Sequence, residues 1–266
     1  MIRFMIFVDG SNLHGTLREL GIEINDYQSF FKFIHARAAA TWANSVEGGA
    51  AVAKQLVRSY WYVVGDMDDW DFSSPDTRAH LSDRFMKSRD LKDRHAAMIE
   101  REHPELTPEQ VLKAAFDSWY GDTSAWYQRK REILDGMRRF YYSVRRSTDQ
   151  IDIVECGHWK PNLSSHWVDE KGLDTMLAVE MLALRDSYDV AVVISGDADM
   201  IPSISHLKRM GKQVMSIELA RGTTHDERGR GFSTRMRLVA DFVPRIFETD
   251  LLRERFATRR NVPDDS

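Results

Sequence analysis

Five residues of this chain have the types and neighbours needed to hold a hard cation or a charged phosphate: Asp9, Asn12, Asp174, Asp197 and Asp199. Asp9 ends an apolar run, Phe4-Met5-Ile6-Phe7-Val8, and is followed by Gly10-Ser11-Asn12. A second run, Val190 to Ile194, ends in Ser195-Gly196-Asp197-Ala198-Asp199. Short, wholly apolar runs bounded by turn residues have the pattern of strands buried on both faces. Open α/β sheets bind ligands beyond the C-terminal ends of their strands. If the two strands are parallel neighbours, Asp9, Asp197 and Asp199 therefore meet at one edge. Asp174 can join them from the first turn of a helix that begins near Leu173, where the helix dipole favours a carboxylate. The same position also suits a plain helix-start acid. Glu180, six residues on, points well away from Asp174 on a helix and reads as a solvated or structural acid.

Carboxylates gathered in one place repel and tend to protonate. A divalent ion resolves this, and hard oxygen donors with few imidazoles select Mg²⁺ or Mn²⁺. Such an ion activates water and steadies the oxygens of a phosphodiester during cleavage. Asn12 is placed to hold a phosphate, Ser11 and Ser195 add hydroxyls, and helix N-termini attract phosphate. Other chemistries lack their residues. There is no Gly-x-x-x-x-Gly-Lys-Ser/Thr loop, no Gly-x-Gly-x-x-Gly after the first strand and no Gly-x-Ser-x-Gly elbow. An aspartyl-phosphate phosphatase would want a second aspartate two residues after Asp9, where Ser11 stands. His158 and His166, eight apart in a polar loop, suit a solvent or core role better than zinc ligation.

The elements that must position these residues alternate. Strands are expected over Phe4–Val8, Gln55–Val64, Ile151–Cys156, Asp189–Ile194 and Gln213–Glu218, rich in apolar, aromatic and β-branched residues. Helical spacing marks Gly15–Leu20, Tyr27–Ala43, Trp126–Tyr142, Leu173 onward and Ile201–Met210, with Gly21 and Gly211 as stops. Thr107-Pro108-Glu109-Gln110 has the form of a capping box opening a helix that Gly121 would end. The charged, sparsely apolar stretch at about 66–125 reads as a helical insertion in an α/β core. Leu238–Phe247 closes the domain as a helix or a strand, and the tail after Phe256 is expected to fray. Seven basic residues lie between Arg129 and Arg146, among them Arg138 and Arg139. They suit either a solvated outer face or a surface that tracks phosphates. A basic, glycine-rich loop follows the fifth strand with Arg221, Arg228 and Arg230, placed to fold over a bound nucleic-acid strand.

With 266 residues the chain can bury one large core or a core with an insertion. Its net charge of −4 announces no global attraction to nucleic acid, so binding would need local basic residues. The single Cys156 excludes an internal disulfide and a multi-thiolate zinc site, and reads as a structural thiol in a reducing compartment. No apolar stretch approaches a membrane span and no secretory leader is apparent, so the chain reads as cytoplasmic and free of membrane.

Phe7-Val8-Asp9-Gly10-Ser11-Asn12-Leu13, Lys171-Gly172-Leu173-Asp174 and Ile194-Ser195-Gly196-Asp197-Ala198-Asp199 resemble the three motifs of NYN domains, in particular the LabA-like group, within the PIN-like ribonuclease superfamily. Ser233 with Asp241-Phe242 is similar to the family's closing segment, and the likeness spans 1–65 and 126–248. Ala198 stands where glycine is common and Met200 where an aromatic is common; neither change removes a ligand. The resemblance implies an α/β, PIN-like (Rossmann-like) three-layer sandwich with a mostly parallel five-stranded sheet. It implies Mg²⁺ or Mn²⁺ at Asp9, Asp174, Asp197 and Asp199, with Asn12 completing the active positions and RNA, single-stranded or structured, as substrate. The domain expected is 1–250, interrupted by the insertion, with 251–266 as a tail. The insertion is open to three roles: gating, contact with RNA, or homo-oligomer formation. Two rivals to a metal-dependent ribonuclease remain: an RNA-binding or regulatory module that keeps the acidic pocket without catalysis, and an interaction protein acting through the insertion.

Overall fold

The structure, a computed structural model, describes residues 1–222 and 232–260. Its elements begin with β1 (Ile2–Asp9), α1 (Gly10–Leu20), β2 (Ile22–Ile24), α2 (Tyr27–Ser45) and β3 (Lys54–Met67). Three helices follow, α3 (Pro75–Lys87), α4 (Arg89–Glu102) and α5 (Pro108–Ser147), then β4 (Ile151–Asn162) and β5 (Trp167–Lys171). The chain continues with α6 (Leu173–Ala183), β6 (Val190–Ile194), α7 (Ile201–Arg209), β7 (Gln213–Ser216) and β8 (Glu218–Ala220). It closes with α8 (Thr234–Val239), β9 (Arg245–Phe247), α9 (Glu248–Arg253) and β10 (Ala257–Arg259).

The main sheet has the order β5-β4-β3-β1-β6-β7. β1 runs parallel to β3 and to β6, and β6 runs parallel to β7. The Ser59 N–H donates to the Gln150 carbonyl and the Asp68 N–H to that of Trp159, so β3 and β4 also ascend together. The five expected strands are the five parallel ones. The sheet has a sixth: β5 pairs antiparallel with the outer half of β4, where a polar loop was expected. This corrects the five-stranded reading, and the physical cause is clear. β5 is an edge strand with alternating exposure, so it needs no apolar run to betray it. Pro161 lies near the end of β4, opposite Val168 of the edge strand β5.

Contacts divide the chain into two compact units: Met1–Gly65, Arg139–Gly157 and Gly172–Ser266 form the first, Asp66–Arg138 and His158–Lys171 the second. In the first, β1 is buried on both faces, which is why Phe4 to Val8 carries no polar residue. Phe4 packs edge-on against His35 and Trp42 of α2, and Trp61 packs against Tyr27, Phe31 and Tyr141 on the same face. Phe7 meets Tyr60 and Tyr188 on the other face, where Tyr62 donates a hydrogen bond to Glu180 of α6 at 2.8 Å. Helices thus cover both faces, the three layers of the expected sandwich. The end of the described chain is not frayed: β10 pairs antiparallel with β2.

In the second unit Phe85 packs against Phe116 and Trp119, with Leu81, Leu91 and Ile99 also buried. The capping box forms as expected: Gln110 Oε1 accepts from the Thr107 N–H, and Thr107 Oγ1 accepts from the Gln110 N–H. Gly121 does not stop the helix. α5 runs through it for 40 residues, because Phe116, Trp119, Tyr120, Trp126 and Tyr127 on the flanking turns are buried. That burial outweighs the ~1 kcal/mol by which glycine disfavours a helix interior. Among the described residues no helix is long and apolar enough to cross a membrane.

Candidate active site

Strand pairing brings the first and last acidic motifs together. Val8 is the partner of Ile194, so Asp9 and Ser195 leave the sheet side by side. The Asp9 carboxylate is buried, at 5% exposure. One of its oxygens accepts the Asn12 N–H at 2.9 Å, capping α1, and the other accepts the Ser195 hydroxyl at 3.1 Å. Ser195 Oγ accepts in turn from the Asp197 N–H at 3.2 Å, and Asp197 Oδ1 accepts from the Asp199 N–H at 3.0 Å. Asn12 Oδ1 takes the Gly196 N–H at 3.1 Å, which tethers α1 to the β6 loop; the amide's NH₂ is a donor by its chemistry. Asp9, Asn12, Ser195, Asp197 and Asp199 are therefore one hydrogen-bonded frame.

Gly10 explains part of the Asp-Gly-Ser-Asn spacing. A Cβ there would stand 2.5 Å from the Tyr62 carbonyl oxygen and 2.9 Å from Trp61 Nε1. Backbone cannot yield as a side chain can, so only glycine lets α1 start this close to β3. Asp174 lies in the first turn of α6, half-buried. Gly172, with φ of 86°, turns the chain into that helix. α6 packs against β1 and against the Ala198–Met200 turn, the two elements that carry the other acids.

The expected basic residues are dispersed. Ser11 is exposed in the first turn of α1. Arg221 donates to the Glu19 carbonyl, ten residues beyond Asp9 on α1, which puts it ~15 Å along the helix from the acids. Arg228 and Arg230 fall outside the described residues. Arg139 is exposed in the first unit. Arg138, in the second unit, lies 3.9 Å from Asp66 and 3.8 Å from Asp135. Ser233 was noted only as part of a closing segment; its N–H reaches the Gly196 carbonyl at 3.0 Å, so it braces the frame. The Tyr62–Glu180 pair escaped the sequence reading. Burial and the Glu180 carboxylate hold the Tyr62 phenol well above its ordinary range, so it stays a donor.

The donor set is all hard oxygen, which fits Mg²⁺ or Mn²⁺ and not a thiophilic ion. Among the described residues no three His, Cys, Asp or Glu close around one point. Mg²⁺ is commonly held by one or two carboxylates, with waters and substrate phosphate filling its shell. The exposed Asp197 and Asp199 suit that mode.

A mostly parallel α/β sheet with acids beyond its strand ends is consistent with a PIN-like fold. Residues 109–228 are similar to the model of the NYN domain family, and NYN domains belong to the PIN-like ribonuclease superfamily. The match takes in Asp174, Asp197 and Asp199 and much of α5, while Asp9 and Asn12 precede it. A crystal structure of a protein of unknown function from Vibrio parahaemolyticus RIMD 2210633 is similar over 93% of this chain and 94% of that one, at 14% identity and a TM-score of 0.44. No curated protein matches the chain.

Proposed function

We propose that this protein is a metal-dependent endoribonuclease of the LabA-like kind, acting in the cytoplasm through the Asp9–Asp174–Asp197–Asp199 site. The observation that carries the reading is the hydrogen-bonded frame from Asn12 through Asp9 and Ser195 to Asp197 and Asp199. It builds an acidic edge out of two motifs that are 186 residues apart. The likeness of residues 109–228 to NYN domains, whose superfamily generally depends on a divalent metal, supports the same reading. The domain we assign is 1–250, interrupted at about 66–125.

The residues divide the work by exposure. Asp9 is buried and fixed by Asn12 and Ser195, so it sets the geometry and the negative potential of the edge. Asp197 and Asp199 are exposed and Asp174 half so, which leaves them to hold the ion. Bound there, Mg²⁺ or Mn²⁺ would lower the pKa of a water and polarise a phosphoryl oxygen. The Asn12 amide and the N-terminus of α1 are positioned to orient the phosphate.

The test is cleavage of a labelled RNA by the purified protein with Mn²⁺ or Mg²⁺ and with chelator, beside Asp9→Asn. Cleavage that stops with chelator and with the substitution is the expected result. Cleavage indifferent to both would overturn the metal-nuclease reading, and RNA bound but never cut would make the protein a binding module.

A further inference from the structure

The first unit carries a second feature on α1. An open groove of about 660 Å³ lies along the C-terminal half of this helix, beside β2, β10 and the start of α2. Three arginines line it, Arg18, Arg259 and Arg260, against one acid, Glu23. Glu248 offsets Arg259, so the local excess is one positive charge, in a chain whose net charge is −4. Two aromatics, Tyr27 and Phe140, also line it. Phe140 sits edge-on to Tyr27 with ring centroids 5.6 Å apart, yet remains 37% exposed. Its ring is thus held in place while part of it faces water. Arg259 is anchored, donating to the Leu20 carbonyl at 3.2 Å and to Glu248 at 3.1 Å. Arg18 and Arg260 are exposed.

Fixed aromatic surface and a cationic rim are the two requirements for unpaired nucleic acid, in which bases stack on rings and arginines track the phosphates. A duplex offers no free base faces to Phe140. An acidic peptide would use the arginines and leave the ring idle. The position agrees with this choice: Arg18 is six residues past Asn12, ~9 Å along the same helix. A strand whose phosphate lies at Asn12 therefore reaches the groove within a few nucleotides. We propose that this groove holds unpaired nucleotides flanking the cleaved bond of a single-stranded RNA, with Phe140 as the stacking surface and Arg18 and Arg260 as phosphate contacts. The assignment rests on the RNA-cleaving reading of the acidic site, and it adds a preference for single-stranded substrate.

Fluorescence anisotropy with labelled, unstructured oligouridylate, in chelator so that nothing is cut, tests the groove. Phe140→Ala should weaken binding by roughly tenfold, and Phe140→Trp should restore it. Because Phe140 also packs on Tyr27, the Arg18→Glu, Arg260→Glu double variant provides a second test on exposed side chains. It should weaken binding comparably and lower the salt slope by about 1.4, two phosphate contacts on a single strand. A perfectly paired RNA duplex should bind without regard to Phe140. Unchanged oligouridylate affinity in both Phe140→Ala and the double variant would overturn the groove, even if the protein cuts RNA. Binding lost in these variants while the wild type never cuts with Mn²⁺ or Mg²⁺ would keep the groove and remove the nuclease. An oligodeoxyuridylate run in parallel shows whether the groove needs the 2′-hydroxyl; equal affinity would overturn its restriction to RNA.

Discussion

Acids at the strand ends and acids near the long helix are satisfied in opposite ways. Asp197 accepts a hydrogen bond from a backbone N–H, and neither Asp197 nor Asp199 has an ion pair among the described residues. Along α5, Asp69 faces Arg131 at 3.4 Å, Asp66 faces Arg138, and Glu155 faces Arg145 at 3.6 Å. A carboxylate already matched to a guanidinium has little reason to take up a cation. One supported by neutral donors keeps its charge available for an ion. The same pairing reduces the positive surface expected of the basic helix, because three of its arginines already serve neighbouring acids.

The contrast can be broken at its tightest point first. Gly10→Ala drives a methyl group onto the Tyr62 carbonyl and should destabilise the protein by about 3 kcal/mol, read from denaturant midpoints. An unaltered midpoint would mean that α1 is free to shift and that the frame around Asp9 is loose. Asp9→Asn keeps a good N-cap, so its stability cost should stay below ~1 kcal/mol, while RNA cleavage falls by roughly a hundredfold or more. Asp69→Asn is the control from the other region. It breaks an exposed pair worth about 0–1 kcal/mol and should leave cleavage intact; if it abolishes cleavage as Asp9→Asn does, the distinction between the two sets of acids is wrong.

Charge reversal of Arg138 and Arg139 together should weaken RNA binding severalfold and reduce the salt slope by about 0.7, one contact and not two, since Arg138 already serves Asp66 and Asp135. The smallest effect concerns acid. Burial pushes His14 and His35 below their ordinary value of 6.5. Both then take up protons less readily in the folded chain than in the unfolded one, so the stability they contribute is present above pH 6.5 and declines as the pH drops through it. His14→Gln, which can still bond the Tyr141 hydroxyl, should flatten that decline in a thermal series from pH 7.5 to 5; an unchanged slope would assign the acid sensitivity elsewhere.

Much of this was legible without coordinates, for identifiable reasons. A strand covered on both faces must be apolar throughout, so Phe4–Val8 and Val190–Ile194 announced themselves, and the polar residues at their ends marked the edge. The Thr107–Gln110 box and the stop at Gly21 act through local backbone bonds and were equally readable. Gly121 misled because a local preference was set against the tertiary burial of five aromatics on the flanking turns. β5, β8 and β10 escaped because strands of three to five residues owe their existence to a neighbour, not to their own pattern.

The sequence by itself thus determined the parallel α/β core, the motifs that resemble NYN domains and the acids at its strand ends. Tertiary structure alone decided that Asp9 and Ser195 share a hydrogen bond, that Asn12 ties α1 to Gly196, and that the arginines of α5 face acids. It also gathered Arg18, Arg260 and Phe140 into one groove. Strand order and helix docking bring together residues that lie far apart along the chain, and no local spacing encodes such contacts.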